Sequence, residues 1–227
     1  MSESMFAKKL GQLNTELIAQ GQRVVDLTMH AVESYFDQDD KKADAVIRGD
    51  AEIDNADVRI ERASIPMMAM GETDEHEIRY VLTIVKINNE LERVADCAVS
   101  IAEQVRLSSK TKEKIPERFR VMANSVVGML RDASQAMKKL DPSLAERILS
   151  FDDAVTKFTR ELMDMALAEV AKGRASAAFA GSMLTVMKWL ERIADHSTNI
   201  CEQLIYLESG KIVRHSEEGW SKPALPT

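Results

Sequence analysis

The segment Glu90-Leu91-Glu92-Arg93-Val94-Ala95-Asp96 returns 99 positions later as Trp189-Leu190-Glu191-Arg192-Ile193-Ala194-Asp195. A chain carrying LERVAD and LERIAD in equivalent places is an internal duplication, so each half must be able to adopt the fold of the other. In both copies a Glu and an Asp stand four apart in a helix-forming run, which puts the two carboxylates on one stripe of a helix, one turn apart.

Five prolines and nine glycines in 227 residues leave few places where a helix must stop, and the abundance of Ala, Met, Glu, Lys, Arg and Leu suits long helices. The predicted class is all α. Apolar residues at three- and four-residue spacing predict helix one over Phe6 to Phe36, with Gly11 and Gly21 as its weak points. The carboxylates of Asp37 to Asp40 supply caps for helix two, whose apolar run ends where Pro66 closes it. After a break at Gly71, Asp74 followed by Glu77 is a capping-box pattern that opens helix three, from Glu75 to about Ser108.

The second half repeats the plan. A polar connection leads to Pro116 as the first residue of helix four, which runs to about Leu140. Asp141-Pro142 caps a helix five expected to run unbroken to Lys172, and helix six spans about Ala175 to Glu208 with Gly210 as its stop. The expected architecture is two tandem three-helix bundles, residues 1–110 and 111–210, followed by a C-terminal tail, 211–227, in which Trp220 stands among charges and prolines. Met67, Met68 and Met70 make the first bundle's loop either a pliable contact surface or a cover for the core.

A net charge of -7 and a pI near 5.3 argue against nucleic acid as a partner, since phosphate neutralisation needs clustered Lys and Arg. No run approaches the roughly eighteen apolar residues of a membrane span, and MSESMFAKK lacks the apolar core of a secretion signal. The expectation is a cytoplasmic protein without membrane insertion. Cys97 and Cys201 lack metal-ligand or redox spacing and are read as small core residues.

The candidate site residues are acidic. Glu92 and Asp96 share a stripe in helix three; Glu191, Asp195 and Asn199 continue one in helix six, with Asn199 as an additional candidate; Asp50 and Asp54 form a stripe in helix two. Aligning VIRGDAEID with ILSFDDAVT places Asp152 at the position of Asp50 but Thr156 at that of Asp54. The second site is therefore one carboxylate short. If helices two and three face one another, four carboxylates gather, and each pair about 5 to 6 Å apart repels by about 3 kcal/mol at an effective dielectric near 20. Protonation or a bound cation relieves this. An all-oxygen donor set without His or Cys suits magnesium, manganese, calcium or ferric iron and disfavours a closed structural zinc site. The plainer alternative is a solvated face, because Arg93 and Arg192 follow the two glutamates and offer local ion pairs.

With two repeats of three helices and the motifs Asp50 to Asp54, Glu92 to Asp96, Glu191 to Asp195 and a degenerate Asp152 to Thr156, the chain resembles the PhoU family over nearly its whole length. The helix-six ending DHSTNICEQLIYLESGK is similar to that family's second motif and its exit. The resemblance implies a negative regulator of phosphate uptake and of the phosphate-starvation response, linking the ATPase subunit of the phosphate ABC transporter to a sensor histidine kinase. It also implies a homodimer and bound iron, zinc or other metal ions, with Asp50, Asp54, Glu92 and Asp96 at one site and Asp152, Glu191 and Asp195 at the other. Ala95 and Ala194 stand where many relatives have Gly.

Two other classes compete with this adaptor. A carboxylate-bridged di-iron enzyme needs Glu-x-x-His on two helices, and none of His30, His76, His196 or His215 has a Glu three residues before it. No glycine-rich phosphate loop or nucleophile motif is present either. A purely structural helical scaffold is the remaining class.

Overall fold

The computed structural model describes residues 5–70, 74–108 and 113–213, the side chains of residues 107, 108, 152 and 153 apart. Among the described residues seven helices run in order: α1 (Met5–Asp37), α2 (Asp40–Met68), α3 (Glu75–Ser108), α4 (Glu117–Lys139), α5 (Pro142–Leu149), α6 (Asp152–Ala171) and α7 (Ala177–Ser209). No strand occurs among the described residues. The predicted breaks are made by the predicted chemistry. Asp39 accepts from the backbone N–H groups of Lys41 and Lys42 at the start of α2, Asp74 from Glu77 at α3, and Asp141 from Leu144 at α5, each satisfying donors that a helix start leaves open.

Three expectations need correction. Pro66 does not close α2, which continues to Met68; burial of Met67, 2% exposed, holds the last turn together despite the hydrogen bond the proline lacks. Pro116 is the N-cap of α4 rather than its first helical residue. The long helix five is two helices, α5 and α6, separated at Ser150 and Phe151. In the alignment of the repeats Phe151 stands where the first repeat has Gly49, a residue whose missing Cβ would lie 3.2 Å from Leu27 Cδ1. At the break Ser150 Oγ donates back to Arg147 O at 2.6 Å, and Phe151 becomes the N-cap of α6 with its side chain turned outward, 60% exposed. The proposed Gly71 break and the Trp220 segment lie outside the described residues.

α1, α2 and α3 pack as one bundle, and α4, α7 and the α5–α6 pair as the other. One continuous apolar core runs through both, because α3 lies along α7 and α1 along α4. At one end of this junction Tyr35 and Phe36 of α1 meet Phe119 of α4, with ring centroids 6.0 and 5.4 Å apart.

Gly210 ends α7 in the left-handed region at φ 68°, its N–H donating to Tyr206 O, and the Arg79 guanidinium fills the space a Cβ would need. Gly210→Ala is expected to cost about 1 to 2 kcal/mol in urea denaturation through the positive φ and the displaced arginine. Gly173, at φ 66° with open space around it, is the comparison: Gly173→Ala should cost less. Equal costs would show that Arg79 does not constrain the site.

Candidate functional site: opposed carboxylates and the seam between repeats

α2 and α3 run antiparallel, with a register set by two cross-helix contacts. Asn88 Nδ2 donates to Asp57 Oδ1 at 2.6 Å and to Asp57 O at 3.1 Å, and near the other end Arg106 pairs with Asp44. Between these contacts the predicted acids face one another. Ile53, Ala56 and Ile60 bury one side of α2, and Leu91, Val94 and Ala95 bury one side of α3; the helical period then puts Asp50, Asp54, Glu92 and Asp96 at the edge of the interface.

The electrostatics show the crowding. Burial, then the charges of Asp54 and Asp96, push the Asp50 carboxyl up to about 6. Glu92 is raised by burial, by Asp96 and by Asp57 and Asp54, against the lowering effect of Arg93. Asp57 is raised by burial, then by Glu61 and Asp54. Glu92 Oε2 is buried and accepts no hydrogen bond, its nearest ion-pair partner being Arg93 Nε at 3.4 Å. Arg93 also reaches Asp96 Oδ2, from Nη1, at 3.4 Å. Among the described residues no three His, Cys, Asp or Glu side chains converge as a metal-holding group. The acids oppose one another without meeting at one point.

The second repeat is less complete. Glu191 is half-buried and Asp195 exposed on α7, Thr156 is half-buried on α6, and Asp152 opens α6 with its side chain outside the described part. Asn199 does not face α6: its Nδ2 donates to Glu90 Oε2 of α3 at 3.0 Å. The same oxygen lies 2.7 Å from His196 Nδ1, and since an ionised carboxylate only accepts, His196 carries its proton on Nδ1. Sequence reasoning missed Asp57, which sits on the stripe three residues beyond Asp54 and was legible there. It also missed Glu90, whose partners lie 106 and 109 residues away and leave no local signal. Cys97 and Cys201 are buried as expected, and burial pushes the Cys97 thiol up to about 11.

A model of the PhoU domain matches the chain twice, over residues 18–105 and 119–204. The phosphate-specific transport system accessory protein PhoU homolog 1 of Thermotoga maritima is 28% identical over 216 residues, spanning 94% of this chain and 93% of that one. The corresponding homolog of Clostridium acetobutylicum is 31% identical over 94% of this chain and 98% of its own length. The crystal structure of the phosphate transport system regulatory protein PhoU from Streptococcus pneumoniae superposes with a TM-score of 0.86 at 26% identity, covering 93% of this chain and all of that one.

Proposed function

The chain belongs to the PhoU family, and from that premise we propose that it is a negative regulator of phosphate uptake and of the phosphate-starvation response. It acts as a metal-binding adaptor between the ATPase subunit of a phosphate ABC transporter and a sensor histidine kinase. Its relatives are named as accessory proteins of the phosphate-specific transport system, and the family is one of regulatory accessory proteins rather than enzymes. No helix among the described residues is long and apolar enough to cross a membrane.

The observation that carries the metal part is the set of opposed carboxylates on α2 and α3, with Asp50 raised to about 6 and Glu92 Oε2 buried without a hydrogen bond. Such a face is short of positive charge, and its donors are all oxygen. Asp50, Asp54, Glu92 and Asp96 would hold a cation in the first repeat, with Asp152, Glu191 and Asp195 in the second. Bound there, the cation would supply positive charge that turns an acidic face into one able to meet acidic groups on a partner.

The experiment is metal analysis of untagged protein purified without chelator, together with capture of the transporter ATPase and the sensor kinase. Metal on the chain and capture of both proteins support the adaptor. Capture without metal removes the metal from the reading, and failure to capture either protein removes the adaptor. The scaffold reading is favoured by one observation, the two 3.4 Å contacts by which Arg93 already neutralises Glu92 and Asp96; it predicts metal-free protein.

A further inference from the structure

The seam where α3 crosses α7 holds a groove of about 540 Å³, separate from the opposed carboxylates of α2 and α3 except at Arg93 and Asp96. The 99-residue repeat relates its two walls: Arg93 answers to Arg192, Glu90 to Trp189 and Cys97 to His196, and all six line the groove. The walls have diverged everywhere in this set except at the arginines. Both guanidiniums are exposed, and neither is locked in place. Arg93 makes two long ion pairs of 3.4 Å, and Arg192 stacks over the Trp189 ring with its guanidinium carbon 5.3 Å from the centroid.

Of the two acids in the groove, Glu90 is occupied by His196 and Asn199 at 2.7 and 3.0 Å, and Asp96 holds Arg93 through a long 3.4 Å contact, the one an incoming oxyanion must replace. Asn89 and Ser100 add neutral hydrogen-bonding groups to the lining. A planar guanidinium binds an oxyanion through two parallel N–H donors. One fork occupies both oxygens of a carboxylate, whereas a tetrahedral oxyanion has oxygens for two forks.

We infer that the seam groove is an oxyanion site, and that its ligand is a small tetrahedral anion of the phosphate class held between Arg93 and Arg192. Its regulation rests on the metal reading above. Glu92 and Asp96, the two carboxylates that hold Arg93, are also proposed cation ligands, so a cation on them competes with the arginine and releases it towards the groove. Cation and oxyanion then strengthen each other's binding, as reciprocal linkage requires.

The test is calorimetric titration of the full chain with inorganic phosphate, and with sulfate as comparator, in metal-loaded and chelator-stripped protein, with metal content measured throughout. Arg93→Gln and Arg192→Gln, both at exposed positions, should each weaken phosphate binding of the metal-loaded protein at least tenfold. Arg192→Gln should keep the parent's melting temperature and metal content, and Arg93→Gln, which frees Glu92 and Asp96, should hold at least as much metal as the parent. The lysine substitutions, which keep charge but lose the fork, should fall between. Stripping the metal should weaken phosphate binding of the parent tenfold or more. Phosphate binding unchanged in both glutamine variants would place the anion elsewhere and overturn the proposal, as would absence of binding to the loaded parent. Should the parent take up no metal, the metal reading fails by itself. The groove is then judged on Arg192→Gln alone, whose retention of the parent's phosphate affinity overturns it.

Discussion

Phe119→Ala will destabilise the protein by about 3 to 5 kcal/mol, the usual range for truncating a buried phenylalanine. Phe119 is fully buried and makes edge or tilted contacts with Tyr35 and Phe36; these aromatic pairings add to the loss of transfer free energy. The position matters as much as the area. Phe119 belongs to the second repeat and its two ring partners to the first, so the cavity opens at the junction through which the two halves stabilise one another. In a domain of this size the loss corresponds to a fall in melting temperature on the order of 10 °C. Val121→Ala, two residues away but 51% exposed, should change stability by no more than about 0.5 kcal/mol. Urea denaturation of both variants checks this, and a Phe119→Ala cost below about 1 kcal/mol would mean that the repeats do not depend on this junction.

Metal loading will be lost as pH falls through about 6, the value to which Asp50 is pushed, because a carboxylate ligand must be deprotonated to bind. Below that pH, competition at this one group lowers apparent affinity about tenfold per unit. The metal-free protein should respond in the opposite sense. Its Asp50 binds a proton more tightly folded than unfolded, at about 6 against 3.8, so its stability falls as pH rises through this window. Asp50→Asn should flatten that slope and stabilise the metal-free form at neutral pH by about 1 kcal/mol, after allowance for solvent screening of a half-exposed group. The same variant, and the pair Glu92→Ala with Asp96→Ala, should lower metal per chain at pH 7.5, measured by elemental analysis. Unchanged metal content in the double variant would defeat the assignment of these carboxylates.

The helices and most of their ends were legible because capping is local chemistry: Asp39, Asp74 and Asp141 each bind N–H groups two or three residues ahead. The one large error was a single helix five: apolar periodicity runs through Phe151 without interruption, whereas the chain breaks at Ser150 and Phe151 and leaves the Phe151 ring 60% exposed, outside the core that the pattern implies.

The carboxylate stripes were readable for a similar reason. A four-residue spacing defines a helix face, and repetition of LER(V/I)AD singled that face out as the candidate site. Their opposition on α2 and α3 follows from the apolar faces that drive the packing, so it too was within reach of the sequence.

What the sequence by itself determined, then, was the all-α class, the duplication and the acidic stripes, all set by residues within a few turns of one another. How the halves meet was decided by the tertiary structure alone. Gly21, a weak point in a helical pattern, is where α1 comes so close to α4 that an added Cβ would lie 2.6 Å from Met137 Cε. Asn199, aligned with the acidic stripe of α7, turns instead to Glu90, and the two arginines come to line one groove. Side chains about a hundred residues apart are brought together by burial of a shared core, which depends on the shapes of whole helices and leaves no periodic trace in either partner.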